Sequence, residues 1–299
     1  MRRKAAVVVG IGPGLGLAIA RRFVREDFSV VGLARAPDKL QRELGIEVRE
    51  ADAANPETLN GALREIEADR GPVEVLVYNA YRASFGLPGC LAVDELETDL
   101  QVNVVGAYAA ARIMHELTAA RGRGSILLTG GGLAFDPRAW LCAFSLSAGK
   151  AALRNLAYSL SEAFKADGVA VATVTIAGRI QEGTLIAPDL IAEAFWRLHV
   201  EGVNAGPELH LDHRVGADQT AGIRSTQWLG RRASPTGNGC GGPSCGRSVS
   251  HPRSSDAASV ITSLARPLEP SMGEIALEVQ ASPPATSKPV SPAALHVSD

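Results

Sequence analysis

The chain has 299 residues, 46% of them hydrophobic and 21% charged, which suits a globular protein with one large α/β domain and some chain left over. A formal net charge of −2 gives no broad basic field, so nucleic acid is excluded as the expected partner. No apolar run approaches a membrane span, and the basic start Met1-Arg2-Arg3-Lys4 leads into a strand-length run, so neither a membrane protein nor a signal peptide is expected.

The first predicted element is a strand, Val7-Val8-Val9, running into Gly10-Ile11-Gly12-Pro13-Gly14-Leu15-Gly16. A helical pattern follows, with Leu15, Ile19 and Phe23 on one face and Arg21, Arg22 and Arg25 on the other. Strand, glycine turn and helix together make an anion site: glycines let backbone approach a pyrophosphate, and a helix N-terminus offers unpaired N–H groups. The spacing G-x-G-x-x-G does not fit, because the third glycine would fall on Leu15 or Leu17. G-x-x-x-G-x-G does fit, at Gly10, Gly14 and Gly16. That spacing resembles the short-chain dehydrogenase/reductase family, with Val9 where the family usually has threonine.

A second strand, Phe28 to Ala34, ends at Ala34-Arg35. In Rossmann-type folds an acidic residue at this strand end binds the ribose 2′-OH and repels a 2′-phosphate. Here the acid is absent and Arg35 can pair with a phosphate, which favours NADP(H) over NAD(H). Pro37 opens a short helix, and Ile46 to Val48 make a third strand ending near Asp52. The resemblance implies that Asp52 contacts the adenine amino group; a turn aspartate is the plain alternative. Asn55-Pro56 reads as an N-cap with proline at the first helical position, the helix running to Arg70 before Gly71-Pro72.

Val73 to Tyr78 form a fourth strand, followed by Tyr78-Asn79-Ala80-Tyr81. The family usually reads Asn-Asn-Ala-Gly here, beside the cofactor; Asn79 and Ala80 match, and Tyr78 and Tyr81 depart. A long helical region from Asp94 to Ala120 carries Asn103-Val104-Val105-Gly106, which is similar to the family's Asn-x-x-Gly. The resemblance gives Asn103 a kink in the helix and a water in the proton relay. His115, further along, reads as a surface residue.

Ser125 to Thr129 make a fifth strand, and Thr129-Gly130-Gly131-Gly132 follows at its carboxyl end, where α/β ligands bind. The family's substrate-binding serine is replaced by Gly131. The next helix carries Ser145-Leu146-Ser147-Ala148-Gly149-Lys150. The family's Tyr-x-x-x-Lys puts both side chains on one helical face; there the lysine lowers the tyrosine pKa and holds the nicotinamide ribose, and the tyrosine moves the proton. Lys150 is present, and Leu146 stands in the tyrosine's place. Tyr81, Ser145 and Ser147 are the nearby candidates for a substitute acid. Val169 to Ile176 make a sixth strand, and Ala177-Gly178 corresponds to the family's Pro-Gly beside the nicotinamide. Asp189 is expected to cap a helix with Ile191, Ala194, Phe195 and Leu198 on one face, and Glu208 to Asp212 make a last strand.

From Val215 to Asp299 the composition changes. This stretch holds 9 of the chain's 17 prolines and one aromatic residue, Trp228, too little apolar surface to offset ordering entropy. The expected division is therefore residues 1–214 as an NADP(H)-binding domain and 215–299 as a disordered tail, within which Ile275 to Val279 could pair as a short strand. The four cysteines are scattered, which predicts reduced thiols and a cytoplasmic protein. Cys240 and Cys245 lack companion ligands at zinc spacing, so no metal is expected.

The alternation of strands and helices predicts an α/β, doubly wound Rossmann fold with a mostly parallel sheet of about seven strands. The expected cofactor site is Gly10, Gly14, Leu15, Gly16, Arg35, Asp52, Asn79, Ala80, Lys150 and Gly178, and the expected catalytic residues are Lys150 and Asn103. The resemblance implies an oxidoreductase moving hydride between NADP(H) and a small-molecule carbonyl or alcohol, with homo-oligomers common in the family. Leu146 favours the alternative of a catalytically silent NADP(H)-binding protein, a redox sensor or partner subunit.

Overall fold

The first strand, β1 (Ala5–Val9), is apolar at every position because both of its faces are covered. Ala5, Val7 and Val9 enter one core and Ala6 and Val8 another, the period of two that a strand buried on both faces imposes. A computed structural model describes residues 3–212. Within them β1, β2 (Ser29–Ala34), β3 (Glu47–Glu50), β4 (Val73–Tyr78), β5 (Gly124–Thr129), β6 (Val169–Ala177) and β7 (Glu208–Asp212) form one sheet. Its order is β3-β2-β1-β4-β5-β6-β7, and all six pairings are parallel. The doubly wound Rossmann expectation holds, with a sheet that is wholly rather than mostly parallel.

Helices cover both faces. On one side α3 (Pro56–Arg70), α5 (Gly106–Thr118) and α6 (Phe144–Phe164) bury Leu59, Leu63, Ile66, Met114 and Leu153 against Val7, Leu76 and Ile126. On the other, α1 (Leu15–Val24) and α7 (Pro188–Glu201) bury Ile19, Phe23, Ile191 and Phe195 against Val8, Val75 and Leu127. The short α2 (Pro37–Leu44) links β2 to β3. The expected cap at Asn55 is formed: its Oδ1 accepts from the backbone N–H of Glu57 at 2.9 Å and of Thr58 at 3.4 Å.

Three local expectations are corrected. The third strand lies one to two residues later than Ile46–Val48, since Val48 is its only fully buried position. Asp189 does not cap α7; Ala187 occupies the cap position, Pro188 the first helical one, and Asp189 is an acid in the first turn. The helical stretch after β4 is not uniform: α4 (Val93–Leu100) passes through a π-helical turn, Gln101–Val105, before α5. His115 is on the surface as expected, bonded to Asp167 at 2.7 Å and stacked on Phe164.

The edge strand β7 is tied down through one carboxylate. Glu208 takes bonds from Arg154 on α6 (2.7 Å), Thr175 on β6 (2.6 Å), Tyr158 (2.8 Å) and His210 (3.1 Å). Burial alone would raise its carboxyl; His210, Arg154, Thr175 and Tyr158 outweigh it and hold the group well below the usual carboxylate range. Glu208 therefore adds stability above the ordinary carboxylate pKa that is lost as pH falls through its depressed one. Cys90 is exposed and Cys142 is buried. Residues 215–299, with Trp228, Cys240, Cys245 and Ile275 to Val279, lie outside the described residues.

Candidate active site

Strand order reverses between β1 and β4, and a doubly wound sheet leaves a crevice at that point. The glycine turn after β1 and Asn79 after β4 meet there. Gly10 has φ +76°, and a Cβ on it would sit 2.5 Å from the Ala80 backbone, so position and conformation both demand glycine. Asn79 bridges the crevice: its N–H donates to Val9 O (2.9 Å), its Nδ2 donates to Gly10 O (3.0 Å), and its Oδ1 accepts from Thr129 Oγ1 (3.0 Å). Gly16 packs tightly, 3.1 Å from the Ile11 Cα to an added Cβ, while side chains at Gly12 or Gly14 would meet nothing within 4 Å. The turn is closed where it touches the fold and open where it faces outward. Gly14 caps α1 without any side-chain bond, and no acid lies in the first turn. Leu15 turns its side chain into the core, so only its backbone faces the crevice.

The remaining predicted cofactor residues lie at carboxyl ends of the same sheet. Arg35 follows β2 and is exposed. Asp52 follows β3 and spends one oxygen, Oδ1, on the Ala54 N–H at 2.9 Å, a turn contact. Gly178 follows β6 with φ +141°.

Lys150 lies on α6, half-buried, with Nζ donating to the Thr129 carbonyl at 2.6 Å. Burial lowers its pKa to about 8. Leu146, one turn earlier, is buried. A Cβ at Gly131 would fall 3.6–3.8 Å from the Lys150 stem, ordinary contact, and the backbone there is extended (φ −164°).

Asn103 sits in the π turn with both amide atoms committed: Oδ1 accepts from Arg82 N (2.9 Å) and Nδ2 donates to Arg82 O (2.8 Å). It acts on the loop after β4. Tyr78, at the end of β4, is buried and donates to the Val102 carbonyl inside the same π turn. Burial, then the Asp52 charge, raises its pKa well above the usual phenol value.

Sequence reasoning missed a buried carboxylate beside this clamp. Asp99 is fully buried and accepts from Arg82 Nη1 (2.7 Å), Ser84 N (2.6 Å), Ser84 Oγ (3.1 Å) and Ser145 Oγ (2.6 Å). It joins three elements with no shared motif, so spacing gives no sign of it. Gly149 was the one legible hint: glycine inside a helix costs about 1 kcal/mol against alanine, and here a Cβ would crowd Asn103 at 2.8 Å.

A sequence profile of the short chain dehydrogenase family matches residues 4–180. The chain belongs to that family. Among its relatives, the 2,3-dihydro-2,3-dihydroxybenzoate dehydrogenase of Bacillus subtilis is 29% identical over 152 residues, 48% of this chain and 58% of that protein. The galactitol 2-dehydrogenase (L-tagatose-forming) of Cereibacter sphaeroides is 32% identical over 182 residues, 56% of this chain and 67% of that protein. This chain thus spans little more than half of the first relative and two thirds of the second. Among solved structures, a metagenomic short-chain oxidoreductase in complex with NADP has TM-score 0.60 at 24% identity, covering 70% of this chain and 96% of that one. The TT0495 protein of Thermus thermophilus has TM-score 0.64 at 20% identity, covering 73% and 100%. These structures share the fold.

Within the short chain dehydrogenase frame, the substitute acids fare unequally. Ser145 is fully buried and points its proton at Asp99; Ser147 is buried and donates to Ala143 O at 3.3 Å. Tyr81 is 66% exposed. Neither serine faces an open crevice.

Proposed function

We propose that this chain binds NADP(H) and is a slow oxidoreductase, moving hydride between that cofactor and a small-molecule carbonyl or alcohol. The observation that carries the reading is the open cradle above Gly12 and Gly14 at the uncapped start of α1. A side chain would fill it, none does, and a pyrophosphate suits its bare N–H groups. Arg35, exposed at the end of β2, would take the 2′-phosphate. Lys150 would hold the nicotinamide ribose, and Asn79 would keep the turn and β5 in register. When bound, NADPH supplies the hydride; the chain orients it and must provide the proton.

The test is a fluorescence titration with NADPH and NADH. NADPH is expected to bind more tightly, and Arg35→Ala to reduce that preference about tenfold or more, since a charge-assisted phosphate contact contributes roughly 1.5–3 kcal/mol. Equal affinities in the parent would sink the assignment. The proposed binding unit is residues 1–214, so a chain ending at Arg214 is expected to bind NADPH like the full chain. A truncated chain that loses cooperative unfolding would place the boundary elsewhere.

Leu146 favours a second reading, a silent NADP(H)-binding protein. The two separate on turnover: with NADPH bound, a ketone panel reduced at no measurable rate selects the second.

A further inference from the structure

We infer that the carbonyl compound taken by this site is an uncharged ketone with a flat aromatic body, selected by Phe85 and Trp140. The inference rests on the reading above, a cofactor and a carbonyl compound in one crevice, and names the class of the second. It starts from the two loops that leave the sheet beside that crevice. The loop after β4 carries Phe85, five residues beyond Ala80, and the loop after β5 carries Trp140, six residues before Leu146. Their rings meet with centroids 5.2 Å apart and planes tilted by 50°. Phe85 is 50% exposed and Trp140 40%, and Leu87 and Leu141, close by in sequence, are exposed as well.

The backbone beneath the rings is pinned. Gly86 N–H donates to Cys142 O at 2.9 Å, and Gly86 and Ala143 form a parallel bridge, so the two loops make one surface. Ser84 N–H, next to Phe85, donates to the buried Asp99 at 2.6 Å. Ala143 is the cap residue of α6, about one turn before Leu146. The ring pair is thereby fixed at the start of the helix that carries Leu146. Rings kept this open give up burial that would stabilise the fold, and a preformed apolar surface beside a crevice is where the body of a ligand packs.

Charge narrows the class. Residues 83–93 and 139–149 contain no charged side chain. The guanidiniums on their flanks are paired, Arg82 with Asp99 at 2.7 Å and Arg138 with Asp136 at 3.0 Å. A carboxylate or phosphate on the ligand would lose water against this wall and meet no counter-charge on it. A short aliphatic ketone would leave the rings uncovered. A flat aromatic body answers both observations: it carries no charge, and it can stack on one ring while meeting the edge of the other, the geometries aromatic groups prefer at centroid distances of roughly 4.5–7 Å.

The test is calorimetric binding of 2-acetylnaphthalene to the full chain saturated with NADP+, a pairing in which no hydride can move, so no turnover is needed. The comparison ligands are its saturated decalin analogue and the anionic 4-oxopentanoate. The naphthyl ketone is expected to bind about fivefold more tightly than the decalin analogue and about 10²-fold more tightly than the anion. Parity with either overturns the inference. Phe85→Ala and Trp140→Ala are each expected to weaken the naphthyl ketone about tenfold, and Trp140→Phe to keep most of the parent affinity. Both rings lie at the surface, so their removal costs the fold little. Alanine variants that bind this ketone like the parent overturn the inference. So does a parent that sediments as a dimer, comes apart in Trp140→Ala and keeps its ketone affinity there, because a second copy of the chain then occupies the rings. A parent that binds the ketone as expected and leaves it unreduced with NADPH overturns the slow-oxidoreductase reading and supports this inference. A parent that binds neither NADP+ nor NADPH overturns the underlying reading of the crevice instead.

Discussion

Leu146→Tyr combined with Gly131→Ser is expected to raise NADPH-dependent reduction of small ketones by about 10²-fold or more, the scale of general-acid help in enzymes. The geometry at residue 131 allows it. Its backbone is extended, a Cβ there makes ordinary contact with the Lys150 stem, and a serine hydroxyl would stand beside the ammonium. Leu146 shares a helical face with Lys150, so a phenol would occupy the position from which the family's tyrosine works. Leu146 is buried, however, and forcing a ring into a leucine-sized space costs roughly 1–3 kcal/mol. The single Leu146→Tyr change is therefore expected to gain less than the double one, since the substrate oxygen also lacks an anchor. The measurement is NADPH oxidation with a ketone panel, for parent, both single variants and the double. A parent already turning over at about 1–10³ per second would refute the idea that the relay is impaired.

Asp99→Ala is expected to cost about 2–5 kcal/mol of folding stability, read by urea unfolding. Arg82 contributes little to that figure, because its side chain is 40% exposed and can turn to water. The cost comes from the Ser84 N–H, left unpaired at roughly 1–3 kcal/mol, and from the fully buried Ser145 hydroxyl, which keeps only its longer bond to Ser84 O at 3.3 Å. Asp99→Asn keeps the shape and loses only part of the acceptor capacity, so it should fall between. A loss under about 1 kcal/mol for the alanine variant would mean that water replaces the carboxylate.

The sheet was legible because strands buried on both faces read as unbroken apolar runs, as in Val7-Val8-Val9 and Val75 to Tyr78. β3 was misplaced for the complementary reason: at the edge of the sheet, Glu47, Arg49 and Glu50 alternate with one buried valine, and the apolar signal fades. The glycine turn was legible because Gly10 and Gly16 answer local constraints of backbone and packing. The clamp around Arg82 was not, since Asp99, Asn103 and Ser145 converge from separate elements. Ser145 looked like a candidate acid by adjacency to Leu146; successive residues on a helix point about 100° apart, and that rotation carries its hydroxyl to Asp99. The π turn left no mark on the sequence, because its one extra residue hardly disturbs the apolar rhythm on either side.

That extra residue gives the chain slack at one place. A π turn holds one residue more than the α turn it replaces. A chain shortened by one within residues 101–105 would relax to plain α-helix and keep Ala107, Ala110 and Met114 of α5 seated in the core. The same deletion inside α5 would rotate every later side chain by about 100° and unseat them. What the tolerated deletion removes is the hold of Asn103 on Arg82 and of Tyr78 on Val102. A single-codon loss here thus separates inheritance of the fold from inheritance of the site, letting the scaffold persist while the loop beside the crevice is released to evolve.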